Sequence, residues 1–177
     1  ELSGGSAIAD PGAVSIANVA GATLKLNASE TIGSLSGGGT TGGTVNLQGF
    51  TLNTGDANDT AFAGVISGSG GALIKQGPGT FTLSGANTYT GTTTIDAGTL
   101  KLAASGVIPD GAGKGNVIVN GTLDLAGFSE TINGLSGGGT VDSSVAGAIT
   151  FTVGSNDQTT AFAGTIQDTV GTITLEK

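Results

Sequence analysis

The stretch from Gly70 to Leu102 reads GGALIKQGPGTFTLSGANTYTGTTTIDAGTLKL, and its pattern decides the fold. Apolar and polar residues alternate in two short runs within it, at 80–83 and 99–102. Alternation with a period of two is typical of a β-strand that buries one face. Glycines at 77, 79, 85, 91 and 98 lie between or beside these runs and mark tight turns. The stretch therefore predicts very short strands joined by glycine turns.

The same alternation recurs on both sides of this stretch. Triplets of apolar, polar and apolar residues occur at 14–16, 24–26, 45–47, 123–125, 151–153 and 173–175, and residues 117–119 are a fully apolar triplet. Glycine supplies 35 of the 177 residues and threonine is also abundant, and both residue types disfavour helix. Hydrophobic residues make up 37% of the chain and charged residues only 10%, which indicates a folded chain. The composition predicts an all-β sandwich, barrel or solenoid.

An internal repeat of about 100 residues favours the solenoid. Ser29-Glu30-Thr31-Ile32 returns as Ser129-Glu130-Thr131-Ile132, and the residues TAFAG at 60–64 return at 160–164. The strands are too short and the aromatic residues too few for an array of sandwich domains. We predict a single continuous β-solenoid of about eight coils, with roughly 20 to 25 residues in each coil. Residues 1–100 form the first repeat, which carries the motif at 70–102, and residues 101–177 form a second, truncated repeat.

Residues 70–102 closely resemble the passenger-associated repeat of bacterial autotransporters, also known as the autotransporter-associated β-strand repeat. The family pattern is L-x-K-x-G-x-G-T-L-T-L-S-G-x-N-T-Y-T-G-x-T-x-I-x-x-G-T-L, and Phe81 replaces the usual Leu. The matching positions that we interpret as a structural motif are Lys75, Gly77, Gly79, Gly85, Asn87, Tyr89, Gly91 and Gly98.

The resemblance implies a right-handed parallel β-helix that belongs to a passenger or adhesin. It also implies export across the bacterial outer membrane, so we expect the cell surface or the extracellular space as the location. Similar repeats occur in very large surface proteins that are not autotransporters, which leaves the export route open. The chain has no initiator Met, and we interpret it as a piece of a longer polypeptide.

Several function classes are disfavoured by composition. Cys, His, Met, Trp and Arg are all absent, which removes thiol chemistry, imidazole bases and the usual zinc ligands. The net charge of −8 repels nucleic acid and anionic lipid. No run of apolar residues is long enough for a membrane helix. We therefore expect no cofactor, no nucleic-acid partner and no direct insertion into a membrane.

Two groups of residues with acidic side chains are candidates for chemical sites. Glu30 and Glu130 are repeat equivalents, so four or five coils at roughly 4.8 Å each separate them, whereas paired glycosidase carboxyl groups lie within about 9.5 Å. We expect them to be exposed or to cap a turn. Asp56, Asn58 and Asp59 resemble part of a calcium loop, but the glycine of an EF-hand is missing and Asx turns explain them better. They are the candidates for a metal site, and we predict that no metal binds.

Three further features have structural explanations. Pairs such as Thr80/Thr82 and Thr92/Thr94 are typical of ice-binding solenoids, but the sequence does not predict such a pair in each coil. Tyr89 could stack on a sugar, yet it belongs to the motif and we expect local packing. The amide of Asn87 could stack on equivalent turns above and below, as in cross-β structures, but an ordinary structural role in the turn explains it better.

The sequence predicts a structural segment that acts as a rigid stalk or spacer, and not an enzyme. The first alternative is a glycan-binding or host-surface-binding face on the same helix. A polysaccharide-degrading β-helix enzyme is the second alternative. The expected partners are adjacent β-helix repeats of the same polypeptide, together with end-to-end self-association of the isolated chain.

Overall fold

The protein is built from short β-strands in its computed structural model, which describes residues 8–156 and 159–177. This part of the chain forms no helix that is long and apolar enough to cross a membrane. The strands are, in chain order, β1 (Ala13–Ile16), β2 (Thr23–Lys25), β3 (Glu30–Ile32), β4 (Ser34–Gly37), β5 (Thr44–Asn46), β6 (Thr51–Thr54), β7 (Thr60–Phe62), β8 (Ile66–Ser67), β9 (Ala72–Lys75), β10 (Thr80–Leu83), β11 (Thr93–Ile95), β12 (Thr99–Leu102), β13 (Val117–Val119), β14 (Thr122–Asp124), β15 (Glu130–Ile132), β16 (Leu135–Ser136), β17 (Thr140–Asp142), β18 (Ala148–Val153), β19 (Thr165–Ile166) and β20 (Thr172–Glu176).

Parallel pairing between coils stacks these strands into a solenoid with three faces. Face A is an eight-stranded sheet with one strand from each coil, in the order β1-β4-β7-β10-β12-β14-β17-β19. Face C is a six-stranded sheet in the order β3-β6-β9-β11-β13-β16. Face B carries two separate sheets, β2-β5-β8 and β15-β18-β20. The prediction of an all-β, parallel β-solenoid of about eight coils is confirmed.

Face B is interrupted in the middle of the molecule. In the fourth and fifth coils, the segments 84–92 and 103–116 replace the strands that other coils place there. Backbone N–H and C=O groups of the neighbouring strands still need partners at this point. The backbone N–H groups of Thr88 and Thr90 donate to the carbonyl oxygens of Ile66 and Gly68 at 2.9 and 3.1 Å, and side chains supply further hydrogen bonds at this point.

The core is a set of apolar side chains that stack from coil to coil. On face A, Phe81, Leu100, Leu123 and Val141 occupy the same register position in four successive coils. Each of them is 1% exposed or less. Burying a side chain of this size contributes about 1.5–3 kcal/mol. The core therefore runs continuously along the axis and needs no single large centre.

The 100-residue repeat does not coincide with a whole number of coils. Strand β1 lies on face A of the first coil, and its repeat equivalent β13 lies on face C of the fifth coil. The repeat therefore spans four full coils and two further faces, or four and two-thirds coils. The equivalents of β2 and β3, which are β14 and β15, likewise lie one face away from the originals. Each repeat is thus rotated by one face relative to the repeat before it.

Candidate functional site

Lys75 is the most deeply buried charged group of the repeat motif. Its side chain lies on the inner side of β9, in register with Thr54 and Ile95, and the residue is 1% exposed. The Nζ atom donates hydrogen bonds to the carbonyl oxygens of Gln76 and Gly77, each at 2.7 Å, and of Ala97 at 3.0 Å. Burial lowers the pKa of Lys75, and nearby carboxylates oppose this effect. The ammonium group thus ties two successive turns of the solenoid together.

The loop with the candidate metal ligands Asp56, Asn58 and Asp59 lies beside this ammonium group. Asp56 accepts hydrogen bonds from the backbone N–H of Asn58 at 2.7 Å and from its side-chain amide at 3.0 Å. Asp59 accepts the backbone N–H of Thr80 at 2.7 Å, and this bond lowers its pKa. Among the residues that the structure describes, no three His, Cys, Asp or Glu side chains form a metal-binding group. The carboxylate oxygens of Asp56 and Asp59 thus cap turns near Lys75. The corresponding loop of the second repeat includes residues 157 and 158, which lie outside the described residues.

Thr54 carries a buried hydroxyl group with which no group of residues 8–156 or 159–177 forms a hydrogen bond. Its Oγ1 atom is buried without a hydrogen-bond partner, and the residue is fully buried. Strand register places Val153 at the equivalent position of the second repeat. We expect Thr54→Val to raise the free energy of unfolding by about 1 kcal/mol, because it removes an unpaired buried polar group without changing shape. Urea denaturation would measure this gain.

Thr31→Val is the matched control for this prediction. The hydroxyl of Thr31 accepts a hydrogen bond from the amide of Asn53 at 3.2 Å, on the outer side of the same face. We expect this variant to be neutral or slightly destabilised. A Thr54→Val protein that is less stable than the parent would contradict the assignment of an unpaired hydroxyl.

Asn87 bridges two coils at the interrupted part of face B. Its Oδ1 atom accepts the backbone N–H of Ile66 in the coil before, at 2.8 Å. Its Nδ2 atom donates to the carbonyl oxygen of Val107 in the coil after, at 3.0 Å. The side-chain amide therefore takes the place of a peptide unit of a missing strand. Its partners are backbone groups, and not the stacked amides of equivalent turns.

Tyr89 fills the core beneath the same segment. It is fully buried, and its hydroxyl lies 2.6 Å from the hydroxyl of Thr93. Burial raises its pKa far above the usual value. A sugar ring cannot reach a side chain in this position, so Tyr89 is a packing residue.

The motif glycines lie where one coil touches the backbone of the coil before it. A Cβ atom on Gly91 would lie 2.5 Å from the carbonyl oxygen of Gly71, and one on Gly85 would meet that of Gly64. Gly77 and Gly98 also have positive φ values of 70° and 62°. A side chain at Gly79 would collide with the backbone of Asn58. The spacing of these glycines follows the spacing of the coils.

Glu130 caps the long segment 103–116. Its carboxylate accepts the backbone N–H groups of Gly106, Val107 and Ile108 at 2.8, 3.2 and 2.8 Å. The residue is only 2% exposed, so the alternative that it lies at the surface is wrong and the capping role is right. Desolvation raises the pKa of Glu130 to about 7, and the three N–H donors oppose this rise.

Glu30 has the same role on another face. It is 1% exposed and accepts the backbone N–H of Ile8 at 2.8 Å. Glu30 lies in β3 on face C, whereas Glu130 lies in β15 on face B. The two carboxyl groups are four and two-thirds coils apart, or roughly 22 Å along the axis at the usual strand spacing. They cannot act together on one glycosidic bond.

Two polar residues of the second repeat make structural contacts that the repeat motif does not predict. Asn133 is fully buried and holds the segment 103–116 through Gly111 and Lys114, at distances of 2.8 to 3.0 Å. Asp124 forms an ion pair with Lys101 at 3.4 Å and also accepts the backbone N–H of Ser144. Asn133 replaces Gly33 of the first repeat, and this difference between the copies is the sequence signal that was missed.

Threonine recurs along face A more regularly than the sequence suggested. Strand register aligns five single threonines in successive coils, namely Thr80, Thr99, Thr122, Thr140 and Thr165. The second position of the pair is Thr only at Thr82, and the next coils place Lys101, Asp124 and Asp142 there. A two-rank lattice of the ice-binding kind is therefore absent from face A, although one rank is complete over five coils.

Comparison with known proteins identifies the repeat motif independently. Residues 73–102 match the family model described as the passenger-associated-transport-repeat. The chain is also 39% identical over 182 residues to the protein described as "Adhesin BmaC autotransporter" from Brucella suis biovar 1 (strain 1330). This alignment covers 89% of the chain but only 5% of the length of that relative. No solved structure matches the chain.

Proposed function

Because residues 73–102 are a passenger-associated-transport-repeat, we propose that this chain is a segment of an autotransporter adhesin passenger and acts as a rigid spacer. The resemblance to an autotransporter adhesin supports a location at the cell surface or outside the cell, after export across the outer membrane. The expected neighbours are adjacent β-helix repeats of the same polypeptide.

One observation carries the spacer proposal. The eight strands of face A continue through both repeats, and β12 crosses the boundary at residue 100. Inner positions such as Leu100, Leu123 and Val141 each stack on the coil before, so the rod is lengthened by adding coils. Such a solenoid transmits force along its axis through backbone hydrogen bonds and needs no reactive group.

The test of the proposal is to lengthen the rod by one repeat. A variant that duplicates residues 30–129 in tandem should be longer by roughly 22 Å in small-angle X-ray scattering, at an unchanged cross-section. A flexible Gly/Ser insertion of equal length at the same point is the control, and it should add no rod of that cross-section. A tandem variant that forms a wider particle, or two separate particles, would contradict the proposal.

The same scattering series tests our further proposal that the isolated chain associates end to end. In the last coil Leu175 is 55% exposed, whereas its equivalent Leu73 in the third coil is fully buried by the next coil. Exposed edges of parallel sheets favour pairing with another chain. We expect the apparent rod length to grow with concentration, and a monomer at every concentration would overturn this proposal.

A further inference from the structure

An apolar pocket lies at the end of the solenoid that β19 and β20 form. Its volume is about 310 Å³, and its apolar lining consists of Leu135, Val153, Phe162, Ile166 and Leu175. Phe162 and Ile166 are only partly buried, and Leu175 is 55% exposed. Exposed apolar side chains that converge on one concave surface are typical of an interaction site. We call this surface the end pocket.

The first repeat contains the same surface in a covered form. The equivalents of the five lining residues are Leu35, Thr54, Phe62, Ile66 and Leu73. Each of them is 1% exposed or less. The fourth coil covers them, with Leu83 in register with Phe62 on face A and Thr93 in register with Leu73 on face C. The molecule thus shows which kind of segment fits the end pocket.

The covering segment in the first repeat is the repeat motif itself. Phe81, Leu83 and Tyr89 are its large inward side chains, and each is 1% exposed or less. Tyr89 directly follows Thr88, whose backbone N–H donates to the carbonyl oxygen of Ile66 at 2.9 Å. The motif therefore brings two aromatic residues and a leucine to the surface that the end pocket repeats.

Backbone groups at the end pocket point in the direction from which the motif binds in the first repeat. There, the N–H of Ile66 donates to Asn87 Oδ1 at 2.8 Å, and its C=O accepts the N–H of Thr88. In β19, the N–H groups on either side of Ile166 donate to the coil before. Because alternate residues of a parallel strand bond to opposite neighbours, the N–H and C=O of Ile166 point away from that coil. They are oriented to bind a second Asn-Thr pair.

The first coil of a second copy offers a poorer match. Residues 8–29 contain no aromatic side chain, and the buried core residues of this coil are Ile16 and Leu26. Its Asn18 is not available for the role of Asn87, because its Oδ1 atom already accepts the N–H groups of Thr41 and Gly42. A second copy can align sheet edges with the last coil, but it brings no ring to the end pocket.

We propose that the end pocket binds an extended passenger-associated-transport-repeat segment, with the pattern of residues 76–102, and adds it as a further coil. Parallel pairing with the last coil provides main-chain hydrogen bonds, and the inward Phe, Leu and Tyr provide selectivity. Val153 replaces Thr54 in the wall, so the end pocket is more apolar than its covered counterpart. This proposal rests on the proposed array of repeats and names the segment that makes the contact.

The test is a titration of the whole chain into a fluorescein-labelled synthetic peptide of residues 76–102, followed by fluorescence anisotropy. We expect saturable binding of one peptide per chain. Leu175→Asp should weaken binding at least about tenfold, because it places a carboxylate under the added coil. Val170→Asp is the matched control and should bind as the parent does. Val170 belongs to the same coil and is 56% exposed, but it does not line the end pocket.

Peptide variants test the assigned contacts. Asn87→Ala in the peptide removes the acceptor for the N–H of Ile166, and Tyr89→Ser removes the ring that enters the core. Each should weaken binding at least about tenfold. A peptide of residues 8–34, which has the same length and comes from the first coil, should also bind at least about tenfold more weakly.

The outcomes separate this proposal from the spacer proposal. Circular dichroism and melting temperature show whether the two Asp variants retain the solenoid. Absence of saturable binding would overturn the proposal, as would equal binding by a folded Leu175→Asp chain. Equal binding of the peptide of residues 8–34 would show that the end pocket does not select the motif, and would overturn it as well. The length of the tandem variant in scattering does not depend on any of these results.

Discussion

Replacing Lys75 with Met is expected to lower the free energy of unfolding by about 3 kcal/mol. The methionine retains the length of the buried stem but leaves the carbonyl oxygens of Gln76, Gly77 and Ala97 without their shared donor. A hydrogen bond from a charged group contributes about 1.5–3 kcal/mol, and an abandoned buried acceptor adds its desolvation cost. Chemical denaturation monitored by circular dichroism would measure the loss.

The desolvation of the Lys75 ammonium group opposes this loss, but its free energy is smaller than that of the three lost hydrogen bonds. Burial partly desolvates the ammonium form and thereby lowers the pKa of this group. Methionine removes that cost, and for this reason we expect a loss well below the sum of three charged hydrogen bonds. Asp56 and Asp59 would also lose a nearby positive charge.

Lys177→Met is the matched control for the Lys75 variant. Lys177 follows β20 at the register position that Lys75 has in β9, but it is exposed. We expect this second variant to change the free energy of unfolding by less than about 0.5 kcal/mol. Equal effects of the two substitutions would show that the carbonyl contacts of Lys75 do not stabilise the fold.

The second large effect is a dependence of stability on pH that originates at Glu130. The pKa of this carboxyl group is about 7 in the folded chain, above its usual value of 4.5. Its protonated form therefore stabilises the fold fully below pH 4.5, and this contribution is lost as the pH rises through 7. A pKa difference of this size corresponds to a loss of about 3 kcal/mol in the free energy of unfolding between pH 4.5 and pH 8. Urea denaturation at a series of pH values would measure it.

Two variants assign this pH dependence to Glu130. Glu130→Gln removes the titrating group. The change in the free energy of unfolding between pH 4.5 and pH 8 should therefore be about 3 kcal/mol smaller in this variant than in the parent. Glu176→Gln replaces an exposed glutamate and should retain the profile of the parent. The hypothesis fails if Glu130→Gln keeps the full pH dependence. Asp110 and Tyr89 also interact electrostatically with Glu130, so Glu130→Gln removes these interactions together with the titrating group, whereas Glu176→Gln retains them.

The sequence was sufficient to predict the fold class because its signals are local. Alternation in runs such as Phe81 to Leu83, with glycine turns between runs, is a property of neighbouring residues. The 100-residue repeat then required each unit to stack on the next. Coil number follows from chain length, so about eight coils could be predicted without coordinates.

The polar contacts could not be predicted because they depend on register between coils. Lys75 meets Ala97 only because one coil returns the chain 22 residues later to the same corner. Glu130 is buried because the segment 103–116 of the coil before it donates three backbone N–H groups to its carboxylate, and Glu30 likewise accepts the backbone N–H of Ile8, the repeat equivalent of Ile108. The row of threonines on face A could not be predicted for the same reason, because the spacing between its members along the chain varies from 18 to 25 residues.

The rotation of each repeat by one face has a mechanical consequence. If every copy of an array carried a loop such as 103–116 on one and the same face, that side of the rod would be wider and the rod would curve toward the opposite side. Because each copy is rotated by one face, successive loops would instead lie at three azimuths, and the curvature from one copy would be compensated by the next two. An array of three copies therefore returns to its starting direction after fourteen coils. Straightness in such a rod comes from the fractional number of coils in its repeat, and requires no symmetry within any single coil.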